Sequence, residues 1–213
     1  MKITVFGATG NVGSRTVAEA LSRGHKVTAV IRDPAGAEEL PTGVTAQQGD
    51  AASTDDVAEL SAGQDVVISA TRPAAGRESE LVRMARALLD GVGQTGVRLL
   101  LVGGAGSLRV PDANGTLAVD DPRFVPAAWR DIALACVAQY EVCRAETGAD
   151  WTYLSPPALL TPGERTGSYR LGADTLLVDA EGRSAISMED FAVALLDEAE
   201  QPRHRRQRFT VAY

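Results

Sequence analysis

Three glycines, Gly7, Gly10 and Gly13, stand three residues apart near the start of a 213-residue chain. An apolar, β-rich run, Ile3–Phe6, leads into them, and a helical pattern, Val12–Arg23, follows at once. Strand, glycine turn and helix in that order can cradle a pyrophosphate, because the first N–H groups of a helix are unpaired and sit at its positive dipole end. Gly7 can take the tight turn. Gly10 lets the backbone approach the phosphates, and Gly13 lets the helix pack against the strand. The first gap is one residue wider than in GxGxxG, and a glycine-rich turn that holds no nucleotide is the plainer alternative.

Further residues fall where such a ligand would extend. The second strand, Lys26–Ile31, ends at Arg32, where an acid would hold a ribose 2′-hydroxyl; a guanidinium suits a 2′-phosphate instead. NADP(H) is therefore expected over NAD(H), the alternative being a surface arginine paired with Asp33. Asp50, with Ala51 after it, follows a short third strand and could meet the adenine, or simply start a turn. Ala70, Thr71 and Arg72 follow the fourth strand and should line the crevice beside the pyrophosphate and inner ribose. The run Gly103-Gly104-Ala-Gly-Ser107 follows the fifth and should lie beside the nicotinamide, with Ser107 as a polar contact; a flexible loop start is the alternative. After the sixth strand, Ser155-Pro156-Pro157 is a rigid turn that could close over the nicotinamide. The polar segment Gly163–Arg170 could form one wall of the substrate mouth.

Tyr140 and Arg144 lie four apart on a helical pattern. In Tyr-x-x-x-Lys a phenol beside an ammonium can move a proton. Here an arginine holds the second position and could stabilise a phenolate. Tyr140 also continues a stripe of Trp129, Ile132, Cys136 and Cys143, which reads as a core face. Ser107 and Tyr140 are the candidate catalytic groups. His25 and His204 are isolated, so neither a metal site nor a hydrolase triad is expected.

These residues need an alternation of strands and helices to hold them. Strands are expected at Ile3–Phe6, Lys26–Ile31, Val44–Gln48, Gln64–Ala70, Val97–Val102 and Trp151–Leu154. Helices are expected at Val12–Arg23, from an N-cap at Ser53 to about Leu60, at Glu78–Gly91 and at Phe124–Glu146. Near-continuous apolar strands alternating with helices mean a Rossmann-like, doubly wound parallel sheet covered on both faces. Beyond Ser155 the alternation breaks, and residues 155–213 read as a small substrate-side extension of one domain. It carries short strands at Ser168–Leu171 and Leu176–Asp179, a helix at Met188–Ala199 and a terminal strand at Arg208–Ala212. Gly104–Pro126 reads as a long loop.

Net charge is −7, and the only basic cluster, Arg203–Arg208, reads as a solvated loop, so a nucleic-acid partner is not expected. No apolar run has the roughly 20 residues of a membrane span, and a strand from residue 2 leaves no room for a signal peptide; a soluble cytoplasmic protein is expected. Cys136 and Cys143, seven apart on a helix, would sit about 10 Å from one another, too far for a disulfide.

Taken in order, Gly7–Gly13, Val30-Ile-Arg-Asp-Pro34, Gly49-Asp50, Asp65–Ser69, Val102–Ser107, Asp150–Pro157 and Ile186–Ala192 resemble the atypical short-chain dehydrogenases of the NmrA-like group. The flavin reductase or biliverdin reductase B type is the nearest. The resemblance covers the whole chain. It implies a fold that binds NADP(H) through Gly7, Thr9, Gly10, Asn11, Val12 and Arg32. It does not bring a catalytic tetrad, since Arg144 replaces the lysine. It implies hydride transfer to a planar small-molecule acceptor stacked on the nicotinamide. The chain is expected to be a monomer or homodimer. Non-catalytic NADP(H) sensing, or epimerase or reductase chemistry on a sugar or pathway intermediate, are the other functions such a chain could have.

Overall fold

The computed structural model describes residues 1–111 and 113–213. Eight strands form one sheet in the order β3-β2-β1-β4-β5-β6-β10-β8. Six of them run parallel in the doubly wound order: β1 (Lys2–Phe6), β2 (Lys26–Ile31), β3 (Val44–Gln48), β4 (Val66–Ser69), β5 (Arg98–Val102) and β6 (Trp151–Ser155). β10 (Gln207–Ala212) adds in parallel to β6, and β8 (Arg170–Gly172) closes that end antiparallel. The first strand and the last thus share one sheet. A separate two-stranded piece joins β7 (Leu159–Thr161) to β9 (Ala185–Ser187).

Strand side chains alternate between two cores. Ile3, Val5, Ile68, Leu100, Leu154 and Phe209 pack under α1 (Asn11–Ser22) and α5 (Met188–Glu200). Phe6, Val67, Leu99, Leu101 and Tyr153 pack under α2 (Thr54–Ser61), α3 (Glu80–Thr95) and α4 (Arg130–Ala145). Burying each such side chain contributes roughly 1.5–3 kcal/mol, so the two cores hold the strand ends in register. Because β1 to β6 are parallel, the residues after all six strands emerge along one edge. The order reverses between β1 and β4, and the crevice there is the place for a ligand.

Several expectations need correction. The helix expected from Phe124 begins at Arg130, after a 3-10 turn at Ala127–Trp129. Pro126 lacks an N–H and disfavours helical geometry at Val125, which delays the start. Leu176–Asp179 is not a strand. The Arg109 backbone pairs with Asp174 and Leu176 instead, and Leu176 plugs a third small core with Leu108, Val110, Ala118 and Val125. The expected helix at Glu78–Gly91 lies at Glu80–Thr95, ending at left-handed Gly96. The three-residue strands β7 and β9 were not foreseen. Asp112, in the expected loop Gly104–Pro126, lies outside the described residues. Among the described residues, no helix is long and apolar enough to cross a membrane, and no cluster of His, Cys, Asp and Glu has the make-up of a metal site.

Candidate functional site

The phosphate end of the crevice is built by backbone. Gly7 has φ +76°, which an L side chain rarely adopts, and a Cβ there would lie 2.7 Å from the Ala70 carbonyl oxygen. Gly10 donates to the Gly7 carbonyl at 3.0 Å and then caps α1 with no side chain. Ser14 N–H makes the first intrahelical bond, back to Gly10. The N–H groups of Asn11, Val12 and Gly13 therefore have no acceptor among the described residues. Thr9, Gly10 and Asn11 are exposed at the lip, while Val12 leans on the α1 core. Gly13 is buried against the turn: a Cβ there would lie 2.8 Å from the Gly7 carbonyl carbon. Bare backbone, unclaimed donors and a dipole end together fit a pyrophosphate.

Arg32 stands exposed one residue past β2 and forms no ion pair among the described residues. Asp33 does not neutralise it, since the Asp33 carboxylate accepts from Ala35 N–H at 3.0 Å. Arg32 lines a hollow of about 450 Å³ with Gln48, Asp50 and Asp56. The Asp50 carboxylate is engaged locally, accepting from Ala52 N–H at 2.9 Å, and Asp50 N–H donates to Asp56 at 2.8 Å. Ala51 is buried beneath this turn.

Across the crevice, Thr71 hydroxyl bonds Ser69 hydroxyl at 3.0 Å, and Arg72 is exposed with its guanidinium 5.0 Å from the centre of the Trp129 ring. Trp129 is 54% exposed. This corrects the expected core stripe: only Cys143 of that set is buried, and Ile132, Cys136 and Tyr140 are half-buried. The first turn of α4, Arg130–Ala133, holds no buried residue. The Gly103–Ser107 glycines also have a packing role. A Cβ on Gly103 would enter the Tyr153 ring, and one on Gly104 would lie 2.6 Å from the Cys136 Cβ. Their bareness lets the loop pack against Tyr153 and α4.

Arg208 is the residue that sequence reasoning missed. The basic segment was read as solvated, yet the Arg208 side chain is 5% exposed. Register pairs it with Tyr153, which turns it inward beneath α4. It donates to the Ser107 hydroxyl at 2.7 Å and carbonyl at 3.1 Å, pairs with Asp174 at 2.5 Å, and stacks 4.3 Å from the Tyr140 ring centre. Ser107 and Tyr140 thus share Arg208 as a neighbour. Burial pushes the Tyr140 phenol above its ordinary value, against the pull of Arg208. Tyr140 also packs 5.0 Å from the Tyr153 ring, and Arg144 faces away to pair with Glu141 at 2.6 Å. Burial likewise raises Cys136 to about 11 and Cys143 to about 12, and neither is bonded to the other.

Pro156 is buried at the end of β6, next to Ser155, whose buried hydroxyl oxygen has no partner among the described residues. The segment Gly163–Arg170 is strapped to the α1–α5 side. Arg165 pairs with Glu19 at 2.7 Å, and Thr166 and Gly167 donate to Asp190 at 2.5 and 2.7 Å. His25 bonds Glu200 at 2.8 Å, and His204 stacks on Phe209, both in structural contacts.

A family model described as NAD(P)H-binding matches residues 7–202. A Burkholderia pseudomallei protein, provisionally described as exported, is 45% identical, with both chains fully covered and a TM-score of 0.89. A Bacteroides thetaiotaomicron protein provisionally assigned as an epimerase is 41% identical over all of this chain and 96% of its own, with a TM-score of 0.90. A Streptococcus pneumoniae protein provisionally assigned as an NADH-flavin reductase is 31% identical over all of this chain and 99% of its own, with a TM-score of 0.85. With its bare helix terminus at the switch point of a doubly wound sheet, the chain belongs to the NAD(P)H-binding family.

Proposed function

We propose that the protein is an NADPH-dependent reductase of a small planar acceptor such as a flavin or a quinone. The observation that carries this reading is the pairing of an open cofactor crevice with a tyrosine unsuited to acid–base work. The Tyr140 ring packs against both Tyr153 and Arg208, its phenol is harder to ionise than usual, and its helix neighbour Arg144 is paired to Glu141. A carbonyl reductase needs a placed proton donor, whereas a planar acceptor can take its proton from solvent.

The N–H groups of Asn11, Val12 and Gly13 would hold the pyrophosphate, and Arg32 the 2′-phosphate. When bound, NADPH supplies the hydride. The acceptor gains that hydride and one proton, the proton coming from water at the open mouth. What the residues contribute is proximity and orientation. The Streptococcus relative's assignment supports the flavin class. That relative is assigned to NADH, so the NADPH preference here rests on Arg32. A reductase of this kind belongs in the cytoplasm, where reduced nicotinamide is regenerated.

Steady-state oxidation of NADPH with FMN, riboflavin and small quinones tests the reading. Turnover with at least one acceptor is expected, and Tyr140→Phe should retain it within about threefold, the hydroxyl taking no part. No turnover above the rate without protein, with any acceptor, overturns it. The second reading is a binding-only NADP(H) sensor, favoured by the missing Tyr–Lys pair; it predicts binding with no turnover.

A further inference from the structure

We infer that Arg72 and Trp129 form a platform that selects an anionic planar acceptor, with the flat ring lying on Trp129 and its acidic group paired to Arg72. This rests on the reductase reading above and names the charge of the acceptor and the residues that hold it.

The two residues reach the same place from opposite walls. Arg72 lies two residues beyond Ala70, whose carbonyl touches the phosphate turn at Gly7. Trp129 directly precedes α4, one turn before Ala133, whose carbonyl oxygen is 2.9 Å from where a Gly106 Cβ would sit. The pair therefore bridges the phosphate turn and the Gly103–Ser107 loop, across the end of the crevice where the reacting ring belongs.

Its chemistry fits a flat anion. Trp129 offers a wide aromatic face to solvent, while the other tryptophan, Trp151, is buried. Nearby cations are already spent: Arg77 on Glu80, Arg123 on Asp121 and Arg130 on Asp120. Arg72 contacts the ring and has no carboxylate within ion-pair distance among the described residues, the Glu78 carboxylate feeling its charge from farther off. An exposed cation–π contact is weak, so a second flat ring can share or replace it at little cost. The dinucleotide's own anionic groups have other partners, since the α1 terminus suits its pyrophosphate and Arg32 its 2′-phosphate. Arg72 and the Trp129 face are thus left for the second ligand.

Binding of FMN and of neutral lumiflavin to the full-length protein with NADP⁺ present, followed by flavin fluorescence polarisation and by quenching of tryptophan emission, tests this. FMN should bind about tenfold more tightly than lumiflavin, the scale of one charge-assisted contact. Arg72→Gln should weaken FMN by about that factor and leave lumiflavin within about twofold. Trp129→Ala should weaken both and abolish saturable quenching. NADP⁺ affinity should change by less than about twofold in either variant, and both side chains are exposed, so folding is not at stake. Equal affinity for the two flavins, unchanged FMN binding in the variants, or NADP⁺ loss matching FMN loss each overturns the platform. Selective FMN binding with no NADPH oxidation by FMN or any other acceptor supports the platform while overturning the reductase reading. Turnover of FMN at an unchanged KM in both variants does the reverse.

Discussion

Gly13→Ala is the substitution that most directly probes the phosphate turn. The new Cβ would lie 2.8 Å from the Gly7 carbonyl carbon, closer still to its oxygen, and 3.1 Å from Ala8 Cα. Carbon atoms prefer a separation of about 3.5–4.0 Å, so the turn must move away from α1 by at least about 0.7 Å. All the atoms met are backbone, so no side chain can swing aside. Overpacking of this kind costs about 1–3 kcal/mol, offset by up to about 1 kcal/mol from alanine's better helix propensity. The expected net loss is about 1–2 kcal/mol, or roughly 2–8 °C in Tm for a chain of this size. Cofactor binding should suffer more. The Asn11, Val12 and Gly13 N–H groups would be displaced from the turn they share, and losing one hydrogen bond to a charged group costs about 1.5–3 kcal/mol. NADPH affinity should therefore fall about 10- to 150-fold. Gly93→Ala is the control. It lies in α3 with nothing within 4 Å of its would-be Cβ, and should raise Tm by a few degrees without touching affinity. Differential scanning calorimetry and NADPH titration read both effects. A Gly13→Ala protein with wild-type Tm and NADPH affinity within twofold would refute the reasoning.

Two further predictions concern charge. Arg32→Asp should weaken NADPH by about 10- to 100-fold and NADH by less than about threefold, because only the former carries the 2′-phosphate; equal losses measured by titration would show that Arg32 does not read that group. Glu198 is buried, and although burial resists its ionisation, hydrogen bonds from His204, Arg98 and the Arg203 N–H hold its carboxyl below the ordinary 4.5. Its folded pKa is depressed, so its stabilisation is complete above about 4.5 and is lost as pH falls through the lower folded value. Glu198→Gln, which leaves the buried Arg98 unpaired, should therefore lower Tm clearly at pH 7 and progressively less below pH 4.5, and a deficit that does not shrink in acid would contradict this.

The halves of this site differed in how far they could be foreseen, for a physical reason. The phosphate end is local. Gly7, Gly10 and Gly13 fall within seven residues, their roles follow from backbone geometry, and the apolar strands announce the sheet that carries them. Arg32 could be placed because a strand end has one position in a doubly wound sheet. The proposed acceptor end is assembled from distant pieces. Arg72 meets Trp129 across 57 residues, and Arg208 reaches Ser107 across 101. No periodicity encodes such meetings. A stripe argument puts Trp129 in the core because it assumes that the helix lies wholly over the sheet, but Pro126 delays its start and its first turn, Arg130–Ala133, holds no buried residue. A basic run is read as solvated because arginine is seldom buried, but strand alternation turns Arg208 inward, where Asp174, Ser107 and Tyr140 satisfy it. The alternation in Arg208-Phe-Thr-Val-Ala212 held a hint, since it sets Arg208 on the side of Thr210 and Ala212, both fully buried. A cofactor pocket made of backbone leaves its mark in a short motif. The proposed acceptor platform, made of side chains from separate loops, leaves no such mark, and substitutions at Arg72 and Trp129 should retune it without disturbing the glycine turn.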